Sequence, residues 1–195
     1  EPYVLGHAQN VTELLEAQKK LNELSLTDEL TGLYNRRGFV TMAEHQLKLE
    51  RHSGTARGLS LMFADMDGLK AINDTYGHGA GSYALKTLGR LISSVVRNAD
   101  LVARWGGDEF VILSVGAQGE NAQLVVNRIL ERIDEHNAES PDPYLIGCSI
   151  GLAEVDADLP LDEMIARADE AMYAEKKRRK IAAGDISDPP QSFVR

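Results

Sequence analysis

LVARWGGDEFVILSV, residues 101–115, is the stretch from which the fold can be worked out. Two apolar runs, LVARW (101–105) and FVILSV (110–115), flank a tight Gly-Gly-Asp-Glu connection. Strand-forming residues on both sides of a glycine turn predict a β-hairpin. Gly106 and Gly107 carry no Cβ, so backbone there can come close to a ligand. Asp108 and Glu109 follow at the tip, where a carboxylate either solvates a turn or meets a cation.

Outward from the hairpin, LSLMFAD (59–65) is apolar nearly throughout. That pattern predicts a strand buried on both faces, ending at Asp65. MDGLKAINDTYGHGAG (66–81) predicts a short helix and a Gly-rich loop, with a second helix from Tyr83 to Val96 on the spacing of Leu85, Leu88, Ile92, Val95 and Val96. Residues 119–138 keep helical spacing through Val125, Ile129 and Ile133. Tyr144, Ile146, Cys148, Ile150 and Leu152 alternate with small residues, as in a strand. The last helix starts near Pro160, with Asp162 and Glu163 in its first turn and KKRRK at its end, both placements suiting the helix dipole. Towards the N-terminus, Thr27 and Asp28 read as a cap signal, Gly32 follows, and Arg36-Arg37 opens a helix that ends in the polar break RHSGTARG, 51–58. The order predicts a ferredoxin-like, palm-type α+β fold: a central, mostly antiparallel sheet with helices on one side.

Composition bounds the function. The chain has 195 residues, 43% of them hydrophobic, which suits one domain with a short attachment. With 21 Lys+Arg against 30 Asp+Glu the net charge is −9, which disfavours a nucleic-acid polymer as partner. Five of the positive charges are nevertheless gathered in KKRRK (176–180), which leaves room for a small phosphorylated ligand. One cysteine, Cys148, excludes an intrachain disulfide framework and fits a reducing compartment. No apolar run approaches the roughly 20 residues of a membrane span, so no membrane contact is expected. AQNVTELLEAQKKLNELS (8–25) reads as a helix with a seven-residue rhythm at Val11, Leu14, Gln18 and Leu21. Two heptads fit either a lone amphipathic helix or the end of a dimeric stalk below an upstream sensor domain. The first residue is Glu1 rather than Met, as expected of a piece of something longer. The expected division is a linker or signalling helix at 1–25, a catalytic domain at 26–183 and a disordered tail at 184–195.

Asp65, Asp108 and Glu109, at strand and hairpin tips, are expected to converge on one hard cation. Mg²⁺ prefers one or two carboxylates with phosphates and waters, so the donor set suits a metal–nucleotide site.

RWGGDEFVIL (104–113) resembles the signature of GGDEF domains, the diguanylate cyclase family. DELTGLYNRRGF (28–39) resembles the family's opening motif, ADMDGLKAINDTYGHGAG (64–81) its nucleotide segment and ADEAMYAEKK (168–177) its final helix. The resemblance implies a nucleotidyl cyclase that joins two nucleoside triphosphates into a 3′,5′-cyclic dinucleotide and releases pyrophosphate. It implies two Mg²⁺ or Mn²⁺ ions per site on Asp65, the Met66 carbonyl and Asp108. Backbone N–H groups at Gly68 and Leu69 would cradle phosphates, with Lys70, Lys176 and Lys180 as further cations. Asn73 would bind the base near His78, and Asp108 or Glu109 would assist deprotonation of the attacking 3′-hydroxyl. It further implies a homodimer, because each nucleotide must attack the other, and a bacterial cytoplasmic location.

Three departures or additions qualify that picture. The position of Ser82 usually holds an Asp in this family, and a carboxylate accepts from guanine's N–H edge but faces adenine's lone pair. Serine's hydroxyl can donate or accept. The rejection of adenine is therefore lost, and the chain resembles the hybrid, promiscuous branch that makes cyclic GMP-AMP from GTP and ATP. After Lys176 the usual Gly, Arg and Asn are replaced by Arg179, Lys180 and Ile181, and a lysine lacks the guanidinium fork. RNAD (97–100) fits the R-x-x-D inhibitory pattern, through which Arg97 and Asp100 would bind a cyclic dinucleotide product. Two other classes compete: a non-catalytic cyclic-dinucleotide receptor, and a dimerisation module with a vestigial site. The intact Asp65 and Gly106-Gly107-Asp108-Glu109 favour the enzyme. His45, His52 and His136 read as surface residues, and Trp105 as a packing residue of the hairpin.

Overall fold

A computed structural model of the chain describes residues 25–53, 58–155 and 158–182. The helix expected over 8–25, except Ser25, and the tail from 184 lie outside the described residues.

The elements run β1 (Tyr34–Asn35), α1 (Arg36–Ser53), β2 (Leu59–Asp67), α2 (Leu69–Tyr76), α3 (His78–Val95), β3 (Leu101–Gly106), β4 (Glu109–Val115), α4 (Glu120–Glu139), β5 (Gly147–Val155) and α5 (Leu161–Ala182). The sheet order is β1-β3-β4-β2-β5. Every pairing is antiparallel except that of β1 with β3. The hairpin forms as its sequence predicts, with β3 and β4 joined by Gly107-Asp108 and a register irregularity between Arg104 and Gly106.

Helices cover both faces of the sheet, not one. Met62, Ala64, Phe110, Ile112, Cys148 and Ile150 pack under α2, α3 and α4. Leu61, Phe63, Val111 and Leu113 pack against Phe39, Ala43 and Leu47 of α1 and Met164, Ile165 and Ala168 of α5. The reason lies in β2, every residue of which from Leu59 to Met66 is buried. A strand apolar at both parities needs an apolar layer on each side.

The Gly-rich stretch after α2 is not a loop. Only Gly77, at φ 86°, separates α2 from α3, and Gly79 and Gly81 lie in the first turns of α3. β5 starts later than the alternation implied, at Gly147. Before it, Asn137 clips the chain to α4: its Nδ2 donates to the Ile146 carbonyl (2.8 Å) and the Ile146 N–H donates to its Oδ1 (2.9 Å). The α1 cap is Asn35, whose Oδ1 accepts the Gly38 N–H (2.9 Å). Asp28, expected as a cap, instead closes a tight turn by accepting from Thr31 N–H (2.8 Å) and Thr31 Oγ1 (2.7 Å). Among the described residues no helix is long and apolar enough to cross a membrane.

Candidate active site

The C-terminal end of β2 and the hairpin turn meet at one end of the sheet. Asp65 stands opposite Glu109 of β4 on one side and Ser149 of β5 on the other. The Met66 N–H donates to the Asp108 carbonyl (2.9 Å), which ties the turn to β2. Met66 itself is 1% exposed and belongs to the core beneath α2–α4. Asp65 and Asp67 share the parity of Leu61 and Phe63, so they fall on the α5 side of the sheet.

α5 brings the cations. Lys176 Nζ lies 2.5 Å from Asp65 Oδ1. Arg179 Nη1 donates to the Cys148 carbonyl (2.8 Å) and stands 3.8 Å from Asp67 Oδ2. Ser149 Oγ also donates to Asp67, at 2.9 Å and 3.2 Å to its two oxygens. Burial raises the Asp65 pKa above the ordinary aspartate value; the bond to Lys176 opposes this, while Asp108 and Asp67 add to it. Glu109 is raised for the same reasons, burial first and then Asp108, Asp169 and Asp65. Burial would lower Lys176, but its bond to Asp65 and the charges of Asp65, Asp67 and Asp108 carry it above the ordinary lysine value. The end of the sheet therefore holds more negative charge than its lysine neutralises.

The expected three-carboxylate convergence is not found as a preformed cage. Among the described residues no group of three or more His, Cys, Asp or Glu side chains is gathered tightly enough to hold a metal. Asp65, with Asp108 and Glu109 nearby, still fits an ion that arrives with its own phosphate ligands, and the raised carboxylates are what such an ion would relieve.

Gly68, at φ 73°, turns the chain from β2 into α2, whose first turn has no side-chain cap. Leu69 opens that helix, and Lys70 is exposed beside it. The uncapped N–H groups at Gly68 and Leu69 suit an anion. Asn73, half-buried in α2, leans on α3 where Gly81 gives it room: a Cβ at Gly81 would stand 2.0 Å from Asn73 Oδ1. Ser82 is the next residue and half-buried, while His78 is exposed at the start of α3. Packing thus sets Asn73 against Gly81, the residue before Ser82. The side chain of Lys180 lies outside the described residues.

Asp100 is engaged within the chain. Its Oδ2 accepts the Arg97 N–H (2.8 Å), and its Oδ1 accepts the Val115 N–H (2.9 Å) and Ser114 Oγ (3.2 Å). Arg97 is exposed.

Two features of this sheet end were not read from the sequence. Arg104 bridges Asp28 (3.2 Å) and the Gly107 carbonyl, to which its Nη2 donates at 2.7 Å. Hydrogen bonds from Thr31, and then Arg104, hold the Asp28 carboxyl below its ordinary value although burial alone would raise it. Arg36 lies 4.5 Å over the Trp105 ring, and a cleft of about 450 Å³ opens between Arg36, Arg37, Arg104, Trp105 and Gly107. Trp105 packs edge-on to Phe39 and Phe63, as expected of a packing residue. The second is the group Asp67, Ser149 and Arg179. Only Arg179 carried a signal, as a departure from the motif at the end of α5. His136 is half-buried, with its Nε2 enclosed and without a hydrogen-bond partner, while His45 and His52 are exposed, His52 with Nδ1 2.6 Å from the Lys48 carbonyl.

Against known proteins, the family profile "Diguanylate cyclase, GGDEF domain" matches residues 25–181. Diguanylate cyclase DgcP of Escherichia coli is 34% identical over 172 residues, covering 87% of this chain and 50% of the relative. Diguanylate cyclase A of Treponema denticola is 31% identical over 180 residues, 91% of this chain and 48% of the relative. The chain spans about half the length of these curated relatives. Among solved structures, the coiled coil and GGDEF domain of DgcB from Caulobacter crescentus, in complex with c-di-GMP, aligns with TM-score 0.70 at 26% identity, covering 91% of this chain and 94% of that one. Diguanylate cyclase SiaD from Pseudomonas aeruginosa, in complex with its activator SiaC, aligns with TM-score 0.72 at 26% identity, covering 90% and 67%.

Proposed function

Because this chain belongs to the diguanylate cyclase GGDEF domain family, we propose that it condenses two nucleoside triphosphates into a 3′,5′-cyclic dinucleotide. The observation that carries this is one sheet end holding Asp65, the Asp108-Glu109 turn, Lys176 and the uncapped start of α2. The 3′-oxygen of each nucleotide attacks the α-phosphorus of the other. A new P–O bond forms, the α–β bridging P–O bond breaks, and pyrophosphate leaves; the step occurs twice. Asp108 or Glu109 assists removal of the hydroxyl proton, and the raised pKa of Glu109 suits a carboxyl that must accept one. Asp65, Asp108 and the Met66 carbonyl would hold Mg²⁺ or Mn²⁺, two ions per site, which supply Lewis-acid stabilisation of the phosphate when bound. Gly68, Leu69 and Lys70 receive the β- and γ-phosphates, with Lys176 exchanging Asp65 for phosphate and Lys180 contributing a further charge. The working form is a homodimer in the bacterial cytoplasm, with residues 26–183 as catalytic domain and residues 1–25 leading from an upstream sensor.

Base choice is the finer part of the reading. Asn73, which packs on Gly81, and Ser82, the residue after it, are both half-buried, and neither carries a fixed charge. Either can donate or accept, so adenine and guanine both find a partner. GTP and ATP are then both substrates, giving cyclic GMP-AMP beside cyclic di-GMP. An equimolar ATP/GTP mix with Mg²⁺ should yield both products, and Ser82→Asp should narrow them to cyclic di-GMP. Cyclic di-GMP alone from the unaltered chain would leave a strictly GTP-specific diguanylate cyclase. Loss of pyrophosphate release in Asp108→Ala separates either enzyme from a non-catalytic receptor.

Arg97, which is exposed, would meet a returning cyclic dinucleotide; the DgcB structure was solved in complex with one, c-di-GMP. Asp100, engaged by three intrachain donors, would have to give up one of them to take part.

A further inference from the structure

We propose that Arg179 is a phosphate-binding cation of this nucleotide site, taking the terminal phosphates together with Lys176. The inference rests on the cyclase reading above. Lys176 and Arg179 are three residues apart on α5, so both reach the same sheet end. Lys176 meets Asp65, and Arg179 meets Asp67 and the Cys148 carbonyl. Asp67 directly precedes Gly68, where the uncapped first turn of α2 begins. The Arg179 guanidinium therefore stands beside the position at which the chain offers N–H groups to an anion.

Asp67 makes a cation necessary there. Its carboxylate would repel an incoming phosphate, and only Ser149 Oγ and Arg179 approach it among the contacts described. Gly147, paired with Asp67 in the sheet, leaves little spare room: a Cβ there would lie 3.1 Å from Asp67 Cβ. Asp67 is thus held in place while Arg179 offsets its charge. Arg179 also approaches Glu175, Nε to Oε1 3.4 Å. Among the contacts described, these engage Nη1 and Nε and none engages Nη2, which carries two N–H groups. The side chain is 42% exposed, open to a ligand. A guanidinium can grip phosphate with two parallel hydrogen bonds, which the ammonium of Lys180 cannot. Arg179 occupies a position where the motif at the end of this helix ordinarily has glycine, so the fork that this chain lacks at residue 180 is supplied one residue earlier.

The test is titration calorimetry with α,β-methylene GTP, which cannot expel pyrophosphate, and with GMP, both in the presence of Mg²⁺. In Arg179→Ala the affinity for α,β-methylene GTP should fall about tenfold, the scale of charge-assisted hydrogen bonds, with GMP binding unchanged. Arg179→Lys should recover part of the loss. Equal losses for both ligands would assign Arg179 to the folding of the helix end and overturn the proposal, as would unchanged binding of both. If the unaltered chain binds neither ligand, the cyclase reading itself fails, and the proposal with it.

Discussion

Glu109 shows how the chemistry of this site works against its stability. It is raised by burial and by Asp108, Asp169 and Asp65, and Lys176 offsets this only in part. A carboxyl raised in the folded state binds more protons than its unfolded counterpart between the two pKa values, so stability falls as pH rises through that window. Thermal melts should show the unaltered chain losing stability as pH climbs above the ordinary glutamate range. Glu109→Gln should melt higher at pH 8, with the gap closing towards pH 4, and should lose cyclase activity. A mutant that melts lower at pH 8 would remove this account. The meeting of Asp65 with the Asp108-Glu109 turn at one sheet end was legible in the sequence because the Gly106-Gly107 pair marks a hairpin tip and the apolar run of β2 ends at Asp65. Asp67 was not, because its partners Ser149 and Arg179 lie 82 and 112 positions further along the chain and meet it only through β5 and α5.

At the scale of elements, the α2–α3 corner is the least expected part. The stretch GHGAG has the composition of a loop, yet it forms the opening turns of α3. The reason is tertiary: Gly81 is helical and bare of Cβ because Asn73 occupies that space. Helix propensity alone favours alanine over glycine by about 1 kcal/mol. Gly81→Ala should therefore leave the melting temperature nearly unchanged or slightly higher, while displacing Asn73 and raising KM for nucleotide about tenfold, the order expected for losing one polar base contact. Steady-state kinetics beside a thermal melt would show the split; a KM equal to that of the unaltered chain would mean Asn73 does not read the base. The hairpin was readable from end to end, since two apolar runs around Gly-Gly have few alternatives. The two-layer packing was also available in principle: a β2 strand apolar at both parities already demands cover on each face. The two-residue β1 gave no periodicity to read.

For the whole molecule, the proposed reaction, in which two bound nucleotides attack each other, calls for two copies of the chain. Specific activity should rise with chain concentration before levelling off, measured as pyrophosphate released per chain; full activity at a concentration where light scattering finds only monomer would show that one copy suffices. Adding cyclic di-GMP to that assay reads the returning product at Arg97: an unchanged initial rate would show no brake there. Asp65 pairs with Lys176 across 111 positions of chain. α5 is the last of the described elements to be synthesised, and it supplies both the cations at the carboxylate end and the apolar residues Met164, Ile165 and Ala168 of one core. A nascent chain that has not yet delivered α5 therefore has neither the lysine that pairs with Asp65 nor the residues that close this core. Closure of that core and delivery of Lys176 to Asp65 thus depend on the same helix.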